Sequence, residues 1–392
     1  MVVFFFIPNI VVNNKFITLM SENIRILAIS HSFLRKINTS VYSILKKKYG
    51  LKVKLVGPNF HLENKKKIYP DFKRDELNLD IFFQETRFNY LRLRIYKNLN
   101  KIIKNEKITH IFVDIDLISL QSLLLLINSF FKKYKICYYS NENNILNTKN
   151  IITKKIKIYL NKFFYLIFKK KILKIFCYTN QIKENLDYCG LNNKTLIIPL
   201  GFNSEKFYRN DKLINNSKFV ISYFGKIEEK KGVHTMLKAL LKADIKNWIL
   251  QLDLFEIQNL KYFRLIKPLL KILYKQKKLR LIKCTHETIG KFMQQTDLTI
   301  VPSEWNEQYG RVIQEAAACG SIVIGSKIGA IPEILINDRV TFEAKNESAI
   351  KNKIEDIYYN FDLYRKEFDK VEEYICSNRK VENQAKIIKD VL

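Results

Sequence analysis

The sequence is poor in glycine and proline, with 11 and 7 in 392 residues, and it has no Cys-x-x-Cys pair and no Cys/His cluster. Its six cysteines (Cys137, Cys177, Cys189, Cys284, Cys319 and Cys376) are scattered. That argues against a structural zinc site and a disulfide framework, and it fits a reducing cytoplasm. Long apolar runs are scarce too. The opening "MVVFFFIPNIVVNNKFITLM" has no basic leader, its apolar run is short and Pro8 interrupts it, so it meets neither signal-peptide nor spanning criteria. "LISLQSLLLLINSFF", Leu117 to Phe131, comes nearest to a span, is too short, and reads as a buried helix.

Acidic residues are also in deficit. Against 68 Lys and Arg stand 38 Asp and Glu, a formal net charge of +30. Such a balance suits nucleic acid, an anionic membrane or polyanionic substrates. Abundant Lys, Asn and Ile with little Gly and Pro is equally what an AT-rich genome writes on any fold. No recognised nucleic-acid module is present and the basic residues are spread rather than confined to a stripe, so nucleic acid is not an expected partner.

What is present is globular. Hydrophobic residues make up 47% of the chain, and its length calls for two domains. Residues 1–20 read as an N-terminal extension or an upstream start-site artefact, because Met20 begins "MSENIRILAISHS" directly before a first strand. Strand-like runs then alternate with helical patterns: "IRILAIS", "KVKLVGP", "THIFVDID", "YKICYYS", "KIFCYTN" and "TLIIPLG". Near Phe219 the alternation restarts with "FVISYFGK", "WILQLDL", "KLRLIKC", "DLTIVPS" and "SIVIGS". This pattern predicts an α/β fold of two units, 21–200 and 201–375, with a helical tail over 376–392 and a cleft between the units. In open α/β sheets ligands bind at the carboxyl ends of the strands, where each motif below falls.

In "YFGKIEEKKGVHTMLKAL" a strand ends at Gly225, a loop carries Lys226, Lys230 and Lys231, and Gly232 opens a helix. Free N–H groups at a helix start beside ammonium groups suit a diphosphate, and Gly225 allows a tight turn with room for a ligand. "DLTIVPSEWNEQYGRVIQEAAACG" reads as strand, loop, helix and a glycine stop at Gly320. Were it helical throughout, Glu307 and Glu315 would stand roughly 12 Å apart along the axis, about the reach from ribose to sugar in a nucleotide diphosphate-sugar. Tyr309 and Gly310 lie at the helix start, where backbone N–H groups suit a phosphate.

On these residues the second half resembles retaining glycosyltransferases of the GT-B fold, family 4. The likeness rests on "VPSEWNEQYGRVIQEAAACGSIVIGSKIGAIPEIL", on "FGKIEEKKGVHTMLKAL" and on "TLIIPLGFNSEKF"; "IRILAISHSF" and "THIFVDIDLISLQS" extend it loosely into the first half. The resemblance implies two Rossmann-like domains facing each other across a cleft, the first on the acceptor side and the second binding a nucleotide diphosphate-sugar. It implies that Glu315 meets the ribose hydroxyls, that Glu307 sits against the donor sugar, and that Lys226 and Lys231 neutralise the diphosphate leaving group. Gly225, Tyr309 and Gly310 would complete the donor site through their backbone. Transfer to a hydroxyl acceptor with retention, without metal or cofactor, follows from the same resemblance. The setting it suggests is cytoplasmic assembly of a surface polysaccharide or lipid-linked glycan on the inner face of a membrane. Departures exist: Lys226 replaces the usual arginine and loses its bidentate fork, Pro199–Gly201 reads "PLG" for "PNG", and Gly329–Ala330 stands for a glycine pair.

Outside these motifs, Asp114–Asp116 is literally Asp-x-Asp, a manganese-binding pattern of another fold, and is set aside as a chance tripeptide. His31 and Glu142 follow strands on the acceptor side and are candidate acceptor residues. In "TKKIKIYLNKFFYLIFKKKILK" a stripe of Ile156, Leu160, Phe163 and Ile167 is flanked by lysines. It reads either as a helix lying on an anionic bilayer or as a stripe buried on the sheet. Two rival functions remain: a basic nucleic-acid- or membrane-binding protein on a degenerate transferase fold, and a nucleotide-sugar epimerase.

Overall fold

The run "RILAIS" forms the first strand, β1 (Arg25–Ser30), with every side chain from Ile26 to Ser30 buried, as expected of a strand covered on both faces. The computed structural model describes residues 24–392 apart from 64–65, 89–92, 144, 146–147, 149, 211–216 and 255–258. The expected extension at 1–20 lies outside the described residues.

In the first lobe β1 is joined by β2 (Lys52–Pro58), β3 (Asp80–Gln84), β4 (His110–Asp114), β5 (Lys135–Ser140), β6 (Ile172–Cys177) and β7 (Thr195–Ile197). Their order is β7-β6-β5-β4-β1-β2-β3, with parallel pairing throughout. The second lobe has β8 (Phe219–Tyr223), β9 (Trp248–Asp253), β10 (Leu279–Ile282), β11 (Leu298–Val301), β12 (Ile322–Ser326) and β13 (Thr341–Phe342). They too are parallel, in the order β10-β9-β8-β11-β12-β13. In both sheets the winding reverses beside the first strand, between β1 and β4 and between β8 and β11. That reversal opens a crevice at the carboxyl ends, which positions the site.

The first lobe's helices are α1 (Ser40–Tyr49), α2 (Leu99–Asn105), α3 (Leu120–Phe131), α4 (Ile151–Phe168) and α5 (Asn180–Tyr188). α1 stops at Gly50, whose φ of 65° supplies a left-handed cap. One sequence expectation is corrected here, and of two alternative readings of another helix the buried one is ruled out. α3 is not a buried helix: Leu125 and Leu126 face the sheet, but Leu123, Leu124, Ile127, Phe130 and Phe131 face outward. In α4 the buried stripe is Ile158, Asn161, Phe164 and Phe168, while Ile156, Leu160, Phe163 and Ile167 are exposed. Both helices are apolar on more than one side, so periodicity alone does not choose the inner face. No helix among the described residues is long and apolar enough to cross a membrane.

The second lobe carries α6 (Val233–Lys242), α7 (Leu260–Lys275), α8 (Ile289–Met293), α9 (Arg311–Ala318), α10 (Ile331–Leu335), α11 (Glu347–Tyr359), α12 (Phe361–Asn378) and α13 (Val381–Val391). After α12 the chain returns to the first lobe. Phe202 and Lys380 form a bridge, the Val381 amide donates to the Phe202 carbonyl at 2.9 Å, and α13 packs on α1. A Cβ on Gly201 would overlap the Val381 backbone, which explains the glycine of "PLG".

Candidate active site

β8 runs out into Phe224 and Gly225, and Gly225 takes a φ of 150° that few side chains tolerate. A Cβ there would come nearest to the Tyr223 hydroxyl, at 3.2 Å. The Tyr223 hydroxyl fixes the next turn by donating to the Lys226 carbonyl at 2.8 Å. The loop then passes Lys230 and Lys231 to Gly232, which caps α6 with φ 68°. Gly232 lies against the Pro302 carbonyl, where a Cβ would overlap the oxygen. The phosphate-loop motif and the "PS" motif are therefore docked on one another through a glycine.

β11 ends at Val301, and residues 302–310 are irregular before α9 begins at Arg311. The segment is thus not helical throughout, and the axial estimate of the Glu307–Glu315 separation does not apply. Gly310, with φ 82°, breaks the helix on its N-terminal side. The Glu307 loop is held down instead by Gly329, whose φ of 60° and lack of a Cβ let its backbone press on that of Glu307. The Ala330 amide adds a 2.9 Å bond to the Glu307 carbonyl.

So held, Glu307 is buried and its Oε2 accepts three hydrogen bonds: from Lys231 Nζ at 2.6 Å, Trp305 Nε1 at 3.0 Å and Ser303 Oγ at 3.1 Å. Lys230 and Lys231 stand over the Trp305 ring, 4.7 and 5.4 Å from its centroid. Glu315 is in the opposite situation. It is buried, its Oε1 has no hydrogen-bond partner, and burial pushes its carboxyl up to about 7 although Arg311 pulls the other way.

Glu315 lines a cleft of about 420 Å³ between the lobes, together with Gly225, Lys226, Asp253, Arg311 and the 284–287 loop after β10. Facing them from the first lobe are Arg35, Lys36, Ile37, Asp71 and Glu76. The acids and bases of that wall pair with one another, Lys36 with Glu76 at 3.1 Å and Arg35 with Asp71 at 3.7 Å. On the second-lobe wall, burial and the nearby Lys206 and Arg311 lower the pKa of His286.

Sequence reasoning thus brought Gly225, Lys226 and Glu315 to one cleft. The Lys231–Glu307 pair sits on the adjoining loop and is not part of that lining. The Tyr309 side chain is elsewhere: its hydroxyl donates to the Leu200 carbonyl at 3.0 Å and receives Arg379 Nη1 at 3.1 Å, so it clamps the hinge. Arg311, Asp253 and the 284–287 loop were missed. Their signal was position alone, at a helix start and at strand ends.

In the first lobe, His31 and Glu142, the expected acceptor residues, come together in a pocket of about 120 Å³ with Asp114, Asp116 and Lys157. Burial lowers the pKa of His31, with Asp114 opposing it, and Lys157 Nζ lies 3.8 Å from Glu142. Asp114 Oδ2 accepts hydrogen bonds from Ser30 and Ser32 hydroxyls at 2.8 and 3.3 Å. A third pocket, of about 180 Å³, shares Asp114, Tyr139 and Asn141 with this one and Ile37 and Arg311 with the interlobe cleft. The three pockets thus lie in succession between the first lobe and the second, with shared wall residues.

Residues 204–371 match the family model described as glycosyl transferases group 1, the segment that holds every second-lobe motif above. An uncharacterized glycosyltransferase of Methanocaldococcus jannaschii is 26% identical over 213 residues, 50% of this chain and 54% of that protein. The match thus spans about half the length of that curated relative. The structure of Anabaena HepE in complex with UDP matches with a TM-score of 0.72 at 16% identity, covering 94% of this chain and 99% of that one. Sucrose-phosphate synthase from Thermosynechococcus elongatus matches with a TM-score of 0.70 at 16% identity, covering 94% and 98%. At such identities the likeness shows the fold, the two-lobed GT-B arrangement.

Proposed function

We propose, on the premise that the second lobe carries the glycosyl transferases group 1 domain, that the protein transfers a sugar from a nucleotide diphosphate-sugar to a hydroxyl acceptor. The observation that carries this reading is the buried Glu315 carboxylate, with one oxygen unpartnered, on the wall of a cleft that also holds Gly225, Lys226 and Arg311. An unmet buried acceptor costs about 1–3 kcal/mol. The paired hydroxyls of a ribose answer it. With the ribose there, the diphosphate falls to Lys226, Arg311 and the open backbone at Gly225, and the sugar extends toward the Glu307 loop. HepE's complex with UDP makes a uridine nucleotide the first probe.

Negative charge grows on the diphosphate as the glycosidic bond breaks. Fixed cations there stabilise the transition state more than the ground state. A lysine ammonium has three donors and Glu307 takes one from Lys231, so the same group orients the carboxylate and can reach a phosphate oxygen. The carboxylate in turn favours the oxocarbenium-like sugar. We read the transfer as proceeding with retention, the leaving phosphate helping to deprotonate the acceptor, and as independent of metal because side-chain cations supply the charge. The acceptor is read as lipid-linked, in surface polysaccharide or glycan assembly at the inner face of a membrane.

The test is incubation with UDP-, GDP- and ADP-sugars, with and without hydroxyl acceptors and with EDTA, followed by product separation. Acceptor-dependent donor consumption that survives EDTA is expected. Donor isomerised without acceptor would make the protein an epimerase. No turnover, with salt-sensitive binding of DNA or RNA, would make it a binding protein.

A further inference from the structure

Among the described residues 28 large hydrophobic side chains stand exposed, and 13 of them lie on α3 and α4, helices of 12 and 18 residues. They include Phe131 at 85% exposure, Ile152 at 66% and Phe163 at 65%. The crossovers β4–α3–β5 and β5–α4–β6 step in the same direction across a parallel sheet, so their shared handedness puts both helices on one face. Phe130 of α3 meets Phe168 of α4 with ring centroids 6.0 Å apart, and Lys171 caps the Phe130 ring at 5.3 Å. The two apolar outer faces therefore adjoin at this ring pair. A patch of that kind on a water-facing protein marks an interaction site.

The rim identifies the occupant. From Asn143 to Lys183 the chain has ten lysines and no acid, and from Leu117 to Lys135 it has three lysines and no acid. A second copy of the chain would press two such rims together. An anionic bilayer takes both the apolar centre and the cationic rim. The platform also borders the acceptor side, because Lys157 and Leu160 of α4 form part of the wall of the pocket lined by His31 and Glu142.

We propose that the joined outer faces of α3 and α4 seat the first lobe on an anionic bilayer and bring the His31–Glu142 pocket to the lipid headgroups. The docking stands without any assumption about chemistry. Its consequence for the acceptor, that the hydroxyl is carried by a membrane-anchored molecule, rests on the transferase reading.

Sedimentation of the full chain with phosphatidylcholine vesicles, with or without phosphatidylglycerol, tests this. Binding is expected to anionic vesicles at low salt, and roughly tenfold weaker to neutral vesicles or at high salt. The pair Phe131→Glu and Phe163→Glu, one on each helix, is expected to lower partition by roughly tenfold or more. Leu265→Glu with Tyr274→Glu, on the second lobe, is expected to leave it unchanged. Melting temperature and its shift on adding UDP confirm that each variant is folded with an intact donor cleft. Wild-type protein that stays in the supernatant with anionic vesicles at low salt, or a Phe131/Phe163 variant that binds as well as wild type, overturns the proposal. So does a lipid-free dimer that the same pair of substitutions splits, which would assign the face to a second copy. Vesicle binding by a protein that turns over no donor upholds the platform and counts only against the enzyme.

Discussion

Glu307 and Glu315 lie on one short segment in contrasting surroundings. Glu307 is saturated on one oxygen by Lys231, Trp305 and Ser303, which orients it before any substrate arrives. Replacing it by Gln keeps the shape and removes the charge; turnover is expected to fall by about a hundredfold or more while the urea midpoint moves little. Lys231→Ala should act alike, since Ser303 and Trp305 still hold the carboxylate. Rates within a factor of about three of wild type would remove both from the chemistry. Glu315 gives a pH prediction. Its folded pKa of about 7 lies above the ordinary 4.5, so its contribution to stability is fully present below 4.5 and lost as pH rises through 7. Nucleotide-free wild-type protein should therefore lose melting temperature relative to Glu315→Gln between pH 5 and 8, and nucleotide should narrow the gap. Parallel curves in a differential scanning series would mean the carboxyl is not desolvated.

At the scale of elements, the site is built from loops that interlock through glycines. Gly232 and Gly329 were legible as motif letters, but their reason is spatial: each lets one backbone lie directly against another. Gly329→Ala should displace the Glu307 loop, costing roughly 2 kcal/mol or more in urea unfolding and lowering turnover more than nucleotide affinity. An unchanged unfolding midpoint would show that the loop relaxes around a methyl group. The start of α9 beside Gly310 was legible in the sequence, but the path of the loop over residues 302–309 was not, so the separation of Glu307 and Glu315 could not be read from helical rise. Gly310's left-handed backbone is set by packing. α3 was misassigned as buried and the stripe of α4 was left between two readings, since a helix with apolar residues on several sides has no single inner face until the sheet is present.

Across the whole molecule, the lobes are joined at a hinge where Tyr309 binds Leu200, Arg379 and Gln314 and α13 returns to α1. Tyr309→Phe should cost about 1–3 kcal/mol, because it leaves the buried Arg379 without that acceptor, and should not weaken UDP binding beyond the loss of stability. A selective loss of UDP affinity would give the Tyr309 side chain a part in the donor site that neither its position nor its partners suggest. Other bonds cross the cleft, Arg311 to Asn38 at 3.0 Å and the Asn180 amide to Glu333 at 2.8 Å. These partners lie more than 150 residues apart, and no local spacing announces them. What the amino-acid order decided unaided is local: strand and helix periods, the doubled α/β pattern, and glycines and lysines at strand ends, because each depends on neighbours within a few residues. Only the folded molecule decided that Lys231 grips Glu307, that Glu315 is stripped of water, and which helical stripe is left outside, because those outcomes depend on distant backbones meeting and excluding solvent.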